Sequence, residues 1–300
     1  MVGIIKISVE NSSIIYELYG HTELRVQDEH GDYFFNYGLF DFNAPGFVYR
    51  FVKGETDYLC GAIPATYALS GYDGRRVVEQ QLNLSQTQAQ QVRDLLVENA
   101  RPENATYRYK FVSDNCATRP AALIEKAVGQ VDYHYPYEAQ TFRALINYCT
   151  RAHAWLTFGC DLALGSPTDR LATPHEMLFL PSYLRDAFSK AEIVDAQGNR
   201  RPLVSQTSVI EAEAEEIEPD LWDTLTPLRL SWLLFLLTML LSAWGWRTHH
   251  ALKGLDVLLF AVAGLAGMAM SDDSNFLIRL SISFYKCLLP SATIAWRRAE

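Results

Sequence analysis

The chain lacks any lysine- or arginine-rich block, and its 26 basic residues are outnumbered by 35 acidic ones, for a formal net charge of −9. A general nucleic-acid binder needs a cationic surface, so nucleic acid is excluded as a partner class. The five cysteines (Cys60, Cys116, Cys149, Cys160 and Cys287) form no CxxC pair and no Cys/His group at zinc spacing, so no metal is expected. Cys149 and Cys160 are close enough in sequence for a disulfide in an exported domain, and equally compatible with two buried thiols. The three histidines of residues 131–184 (His134, His153, His175) show no metal spacing either.

What is present centres on Tyr107-Arg-Tyr-Lys-Phe-Val-Ser-Asp-Asn-Cys116-Ala-Thr-Arg119. Tyr107, Tyr109 and Phe111 alternate with basic residues, the period of a half-buried strand. Ser113, Asp114 and Asn115 are turn and cap residues. Leu123, Ile124, Ala127 and Val128 then recur at helical spacing up to Gly129. Cys116 is therefore expected in the first turn of a helix, where the dipole and free N–H groups favour a thiolate and suit an oxyanion. A thiolate that performs acyl transfer needs a base. His21, in Tyr19-Gly-His-Thr-Glu-Leu-Arg25 at a strand start, is the candidate, with His134 a distant rival. Asp28-Glu-His-Gly-Asp32 is a hairpin turn that brings the next strand beside His21, and His30 within it is expected to be exposed.

Asn36 on that second strand has two readings: the amide that orients the imidazole, or a structural residue bonded to the following Tyr-Gly turn. Asn115 is a candidate oxyanion donor, and Asp114 is a candidate helix cap or, alternatively, a residue of the substrate site. Arg25 and Arg119 have the fork that binds a phospholipid phosphate, and surface salt bridging is the alternative for each.

Elsewhere, residues 1–10 and 14–19 read as strands. Pro45 to Gly54 reads as a short helix whose apolar positions either pack in the core or line a lipid groove. Tyr58 to Leu69 reads as a strand broken at Pro64, and Ser85-Gln-Thr-Gln88 is a capping box opening a helix that ends near Asn99. The order (His21 strands, helix, strand, helix, strand, Cys116 helix) is that of an α+β thiol-hydrolase-like core, expected over residues 1–190 with an aromatic-rich extension at 131–184. Residues 191–225, with the acidic run Glu211 to Glu218, read as a linker. Leu230 to Trp246 is uncharged and long enough to span a bilayer, with Trp244 and Trp246 suited to its interface. Leu255 to Met270 reads as a second span packing through Gly264 and Gly267. The basic loop Arg247 to Lys253 between them is placed in the cytoplasm, which puts residues 1–225 outside, in a bacterium the periplasm. Residues 271–300, with Arg279 and Lys286 in their apolar stretch, read as an atypical tail with a partial third span.

Four blocks carry a resemblance. Gly20-His21…Leu24-Arg25, Asn36-Tyr-Gly-Leu-Phe-Asp-Phe42, Asp114-Asn-Cys116-Ala-Thr-Arg119, and Trp155 to Asp169 with Phe179 to Leu184 resemble Lnb-type bacterial lipoprotein N-acyltransferases over roughly residues 5–270. More distantly the chain is similar to permuted NlpC-type and lecithin:retinol acyltransferase-type thiol enzymes. The resemblance implies a circularly permuted papain-like (NlpC-type) core with a C-terminal transmembrane helical hairpin, anchored in the bacterial inner membrane with its N-terminal domain periplasmic. It implies Cys116 as nucleophile and His21 as base, a glycerophospholipid as acyl donor, the N-terminal diacylglyceryl-cysteine of a lipoprotein as acceptor, and no cofactor. Asp169 is suggested by the resemblance alone, as structural or substrate-positioning. Members carry an export signal, whereas Met1 to Glu10 is too short and too soon charged to be one, so an N-terminally truncated chain is expected. Two other classes remain in view: a cysteine peptidase or amidase of cell-wall peptides, and an inactive lipid- or lipoprotein-binding paralogue.

Overall fold

In the computed structural model, strand β1 (Gly3–Val9) buries side chains on both faces, and it lies inside the sheet. Residues 2–9, 18–41, 45, 50, 55–72, 75–210, 224–249 and 253–269 are described. They belong to two units, Met1–Thr224 and Leu225–Glu300.

The first unit is built on a seven-stranded antiparallel sheet. Its strands are β1, β2 (His21–Asp28), β3 (Gly31–Leu39), β4 (Asp57–Pro64), β5 (Val77–Leu82), β6 (Thr106–Arg108) and β10 (Val204–Ile210), in the order β10-β5-β1-β2-β3-β4-β6. Alternation decides the faces. Ile4, Leu24, Val26, Phe35 and Tyr37 form one core with residues of helices α2 (Gln86–Asn99), α3 (Thr118–Val128) and α6 (Pro181–Lys190). Ile5, Ile7, Val9 and Phe34 meet Ala65 and Ala68 of helix α1 (Ala65–Ser70) on the other face. Strands β7 (Gln130–Asp132), β8 (Glu192–Val194) and β9 (Arg200–Pro202) make a small second sheet. Helices α4 (Phe142–Thr150) and α5 (Ala154–Leu164) complete the unit, and a third core gathers Phe142, Leu145, Ile146, Met177, Phe179 and Leu180.

Several local signals act as the residues dictate. Ser85 and Gln88 form the reciprocal capping box of α2, which ends at Asn99. Gly129 ends α3 at φ 84°, a conformation that glycine adopts without strain. The β2–β3 hairpin turns between Asp28 and Gly31.

Three expectations are corrected. The strand from Tyr58 ends at Pro64, and helix α1 follows because Ala65 and Ala68, three apart, bury together against β1 and β3. The strand ahead of Cys116 stops at Arg108, after which Lys110 and Asp114 bridge a tight turn. Residues 191–210, assigned by composition to a linker, supply β8, β9 and the sheet-edge strand β10. An edge strand exposed on both faces after Val204 carries little apolar periodicity to betray it. Residues 14–17, most of the Pro45–Gly54 helix, the acidic run at 211–218 and residues 271–300 lie outside the described residues.

In the second unit, helix α7 (Pro227–Thr248) has 22 residues and a mean hydropathy of 1.5, enough to cross a membrane. At 1.5 Å per residue it spans about 33 Å, which matches a hydrocarbon core. Thr226 caps its start by accepting from the Arg229 N–H. Helix α8 (Lys253–Ala269) has 17 residues, about 25 Å. Among the described residues, α7 is the one helix that is long and apolar enough to span.

Candidate active site

Asn115 sets the position of Cys116. Its Oδ1 accepts from the N–H groups of Ala117 (2.8 Å) and Thr118 (2.9 Å), which caps α3. Its Nδ2 donates to the carbonyls of Phe111 (2.8 Å) and Phe179 (2.9 Å). Asn115 is buried, and both amide hydrogens are spent on backbone, so none is left for an oxyanion. The N–H groups of Ala117 and Thr118 are likewise committed to the cap. Cys116 therefore sits in the turn ahead of α3 rather than within its first turn.

Asp114 is not the cap. It accepts two bonds from Arg119, Nε at 2.6 Å and Nη2 at 2.8 Å, and the Arg119 guanidinium lies 3.7 Å from the Tyr107 ring centroid. This pair braces the loop that carries the thiol. Arg25 is occupied in a different way. Its Nε and Nη2 bond Asp32 at 2.8 and 2.7 Å, and its Nη1 bonds Glu79 at 2.9 Å. Two carboxylates already hold the fork and leave the local charge negative, so the geometry makes Arg25 a cross-strand clamp, not a phosphate ligand.

His21 opens β2, and the Cys116 side chain lies beside it, close enough to favour its charged form. The pairing of β2 with β3 sets Asn36 opposite Glu23 on the face that carries His21. Asn36 Oδ1 lies 3.1 Å from His21 Nε2 and also accepts the Gly38 N–H at 2.6 Å. Two donors converging on one atom identify it as the amide oxygen. Nε2 therefore carries a proton. Asn36 thus meets both the imidazole and the following turn. Asn36→Ala is expected to lower activity roughly 10²-fold through loss of that orientation, measured as initial rate. An unchanged rate at every pH would remove Asn36 from the site.

The structure adds a residue that the sequence reading passed over. Glu23 is fully buried two positions along β2, its Oε1 3.7 Å from His21 Nε2. A buried carboxylate beside an imidazole favours the imidazolium. Burial works against charge on His21, but the negative charge of Cys116 and of the nearby Glu23 outweighs it and pushes His21 up to about 10. His21 is thus held as the imidazolium near neutral pH. Because the folded value lies above the unfolded value of about 6.5, the stabilisation is fully present below about pH 6.5 and is lost as pH rises to about 10. Glu23→Gln is expected to complete that loss at lower pH, which melting curves between pH 6 and 10 would show. Superimposable profiles would rule out Glu23 as a source of the shift. The signal available in the sequence was Glu23 at i+2 from His21, on the same strand face.

An aromatic wall adjoins the thiol. Tyr58 stacks on Phe40 (4.8 Å between centroids) and on Tyr109 (4.0 Å), with Tyr107 beside them. Burial first, then charge on Cys116, holds the hydroxyls of Tyr58, Tyr107 and Tyr109 protonated above their ordinary range. A separate cavity of about 320 Å³ follows the far side of the Cys116 loop, between Asp114, Arg119 and Glu125 and the Arg170–Glu176 ion pair.

The remaining candidates lie elsewhere. His30 is exposed in its turn, and His134 pairs with Glu192 of the small sheet. Asp169 binds Arg143 at 2.5 Å, and Arg143 also holds Asp161, a brace between α4, α5 and the following turn. Cys60 and Cys149 are thiols that burial pushes up to about 11, and Cys160 Sγ lies 3.5 Å from the Tyr19 hydroxyl.

Two family models match the chain. One, described as the Lnb N-terminal periplasmic domain, covers residues 2–148, and the other, the Lnb transmembrane domain, covers residues 218–279. No curated protein and no solved structure matches it.

Proposed function

Because the chain belongs to the Lnb family and is a membrane protein with an N-terminal periplasmic domain, we propose that it is a thiol acyltransferase. It would move a fatty acyl chain from a glycerophospholipid, through a Cys116 thioester, to the N-terminal amine of a diacylated lipoprotein. The observation that carries this reading is the juxtaposition of Cys116 with His21, whose imidazole Nε2 also meets Asn36 and Glu23.

The Cys116 thiolate attacks the ester carbonyl of the donor. As the tetrahedral intermediate collapses, the C–O bond breaks and the His21 imidazolium gives its proton to the leaving glycerol oxygen. The lysophospholipid departs and leaves an S-acyl enzyme with a neutral imidazole. The acceptor amine then attacks the thioester, and His21 takes the proton that the nitrogen loses. The C–S bond breaks, the amide forms, and thiolate and imidazolium are restored. No cofactor enters the cycle. The stack of Phe40, Tyr58 and Tyr109 beside the thiol supports an acyl chain over a polar peptide as the group bound there. The His21 strand preceding the Cys116 helix supports an NlpC-type core in permuted order. Helix α7 would anchor the domain, with α8 as the returning limb of a hairpin.

Incubation of the full chain with phosphatidylethanolamine vesicles, followed by intact mass analysis, tests the proposal. A fatty-acyl mass gain that hydroxylamine removes, mapped to the Cys116 peptide, is the expected result. An alkylatable Cys116 with no acyl gain, together with cleavage of muropeptides, would move the reading to a cell-wall peptidase. An unreactive thiol would leave a binding protein.

A further inference from the structure

Helix α5 presents an anomaly. Its sequence, Ala-Trp-Leu-Thr-Phe-Gly-Cys-Asp-Leu-Ala-Leu, is nearly all apolar, yet none of its residues is buried. Its one charged residue, Asp161, faces inward, bonded to Arg143 at 2.5 Å and Asn147 at 3.2 Å. Thr157 and Cys160 also face inward, on Thr150 and Tyr19. The outward stripe is Trp155, Phe158 and Leu162, spaced by three and four residues on one helical face. Phe158 is 45% and Leu162 41% exposed, and Trp155 meets Phe158 edge-on. Beside the stripe, Tyr148 is 59% exposed, with the Arg151 guanidinium 4.0 Å from its ring centroid.

We propose that α5 is an interfacial helix that lies flat in the surface of the phospholipid bilayer that α7 crosses. Three observations select the bilayer as occupant. The first is reach: 13 residues separate Ile210, the end of β10, from Thr224, just before α7. Fully extended they cover on the order of 50 Å, so the domain stays within that distance of the membrane and meets its surface at high effective concentration. The second is length: 11 residues make a helix of about 16 Å, which is too short to span and suits the plane of the interface. The third is composition: a Trp/Phe/Leu stripe, flanked by tyrosine and arginine, is the residue set that partitions to the headgroup level. The inner side of α5 touches Tyr19, two residues before His21, which ties the helix to the start of the strand that carries the candidate base. The proposal rests on the membrane anchoring of the chain, and its link to catalysis rests on the acyl-transfer reading.

The experiment places a photo-crosslinking p-benzoylphenylalanine at Phe158 or Leu162 of the full chain. The protein is reconstituted in vesicles of phosphatidylethanolamine and phosphatidylglycerol. Exposed Tyr67 and Val97, on helices α1 and α2, serve as controls. After irradiation, a phospholipid mass adduct at least about 10-fold more abundant at 158 and 162 than at either control is expected. Equal adducts at all four positions, no lipid adduct at 158 and 162, or cross-linking there to protein instead of lipid would each overturn the proposal. A second variant, carrying Phe158→Asp and Leu162→Asp, is expected to lose 10-fold or more of Cys116 acylation from vesicles. Its reaction with a water-soluble short-chain thioester should be unchanged, which separates lost docking from misfolding. If wild-type Cys116 takes no acyl group while the lipid cross-link persists, the acyl-transfer reading fails and the interfacial helix stands.

Discussion

Cys116→Ser is expected to lower acyl transfer from phospholipid by about 10³-fold or more while the protein remains folded. The two side chains are close in size, and the loop around position 116 is held by other groups: Asn115 through its four bonds, and Asp114 through Arg119. What changes is the nucleophile. In the proposed cycle a Cys116 thiolate attacks beside the His21 imidazolium, and charge on Cys116 is a leading cause of the high His21 value. A serine hydroxyl is not ionised near neutrality, so the pair dissolves: His21 drops toward its ordinary range and the attack must wait for proton removal. The readout is the rate of hydroxylamine-labile acyl gain, with a melting curve beside it. A variant that acylates at the wild-type rate would show that the acyl group is carried elsewhere. A variant that fails to fold would show that the thiol packs rather than reacts.

Gly38→Ala is expected to cost roughly 10²-fold in rate with little change in melting temperature. A Cβ at Gly38 would sit 2.6 Å from His21 Cε1 and 3.1 Å from Asn36 Oδ1. The imidazole would have to retreat by about 1 Å, and a misplacement of that size at reacting atoms costs about two orders of magnitude. The ring cannot yield freely, because Asn36, Glu23 and Cys116 hold it on both sides. Gly61→Ala is the control: its Cβ would meet only the tip of the Leu39 side chain, which can turn aside. Equal rates for the two variants and wild type would mean that the tight packing at Gly38 has no part in the chemistry.

Much of this was legible from the residues. The helix after Cys116, the strand that starts at His21, the hairpin that brings Asn36 alongside, and the long apolar helix near the C-terminus are all local. Each is dictated by a period of two or 3.6, a cap, a turn pair or an uncharged run, and these act within a few neighbours along the chain. Resemblance to the family was legible for the same reason: it is carried by short contiguous blocks around His21, Asn36 and Cys116.

Tertiary structure decided the rest. Whether Arg25 faces a ligand or a carboxylate depends on Glu79, which reaches it only because β1 lies between β5 and β2. Whether Asn115 donates to substrate or to backbone depends on Phe179, sixty-four residues away. Glu23 became part of the site through complete burial beside His21, and burial is a property of everything packed above a strand face. Residues 204–210 became a sheet edge because β5 had an open side to pair with, not because their composition demanded a strand. The sequence determined the reacting groups and the elements that carry them. Charge, access and division of labour in the site were settled by long-range contacts, because electrostatic strength depends on distance and on excluded water, and neither is encoded in any one stretch of the chain.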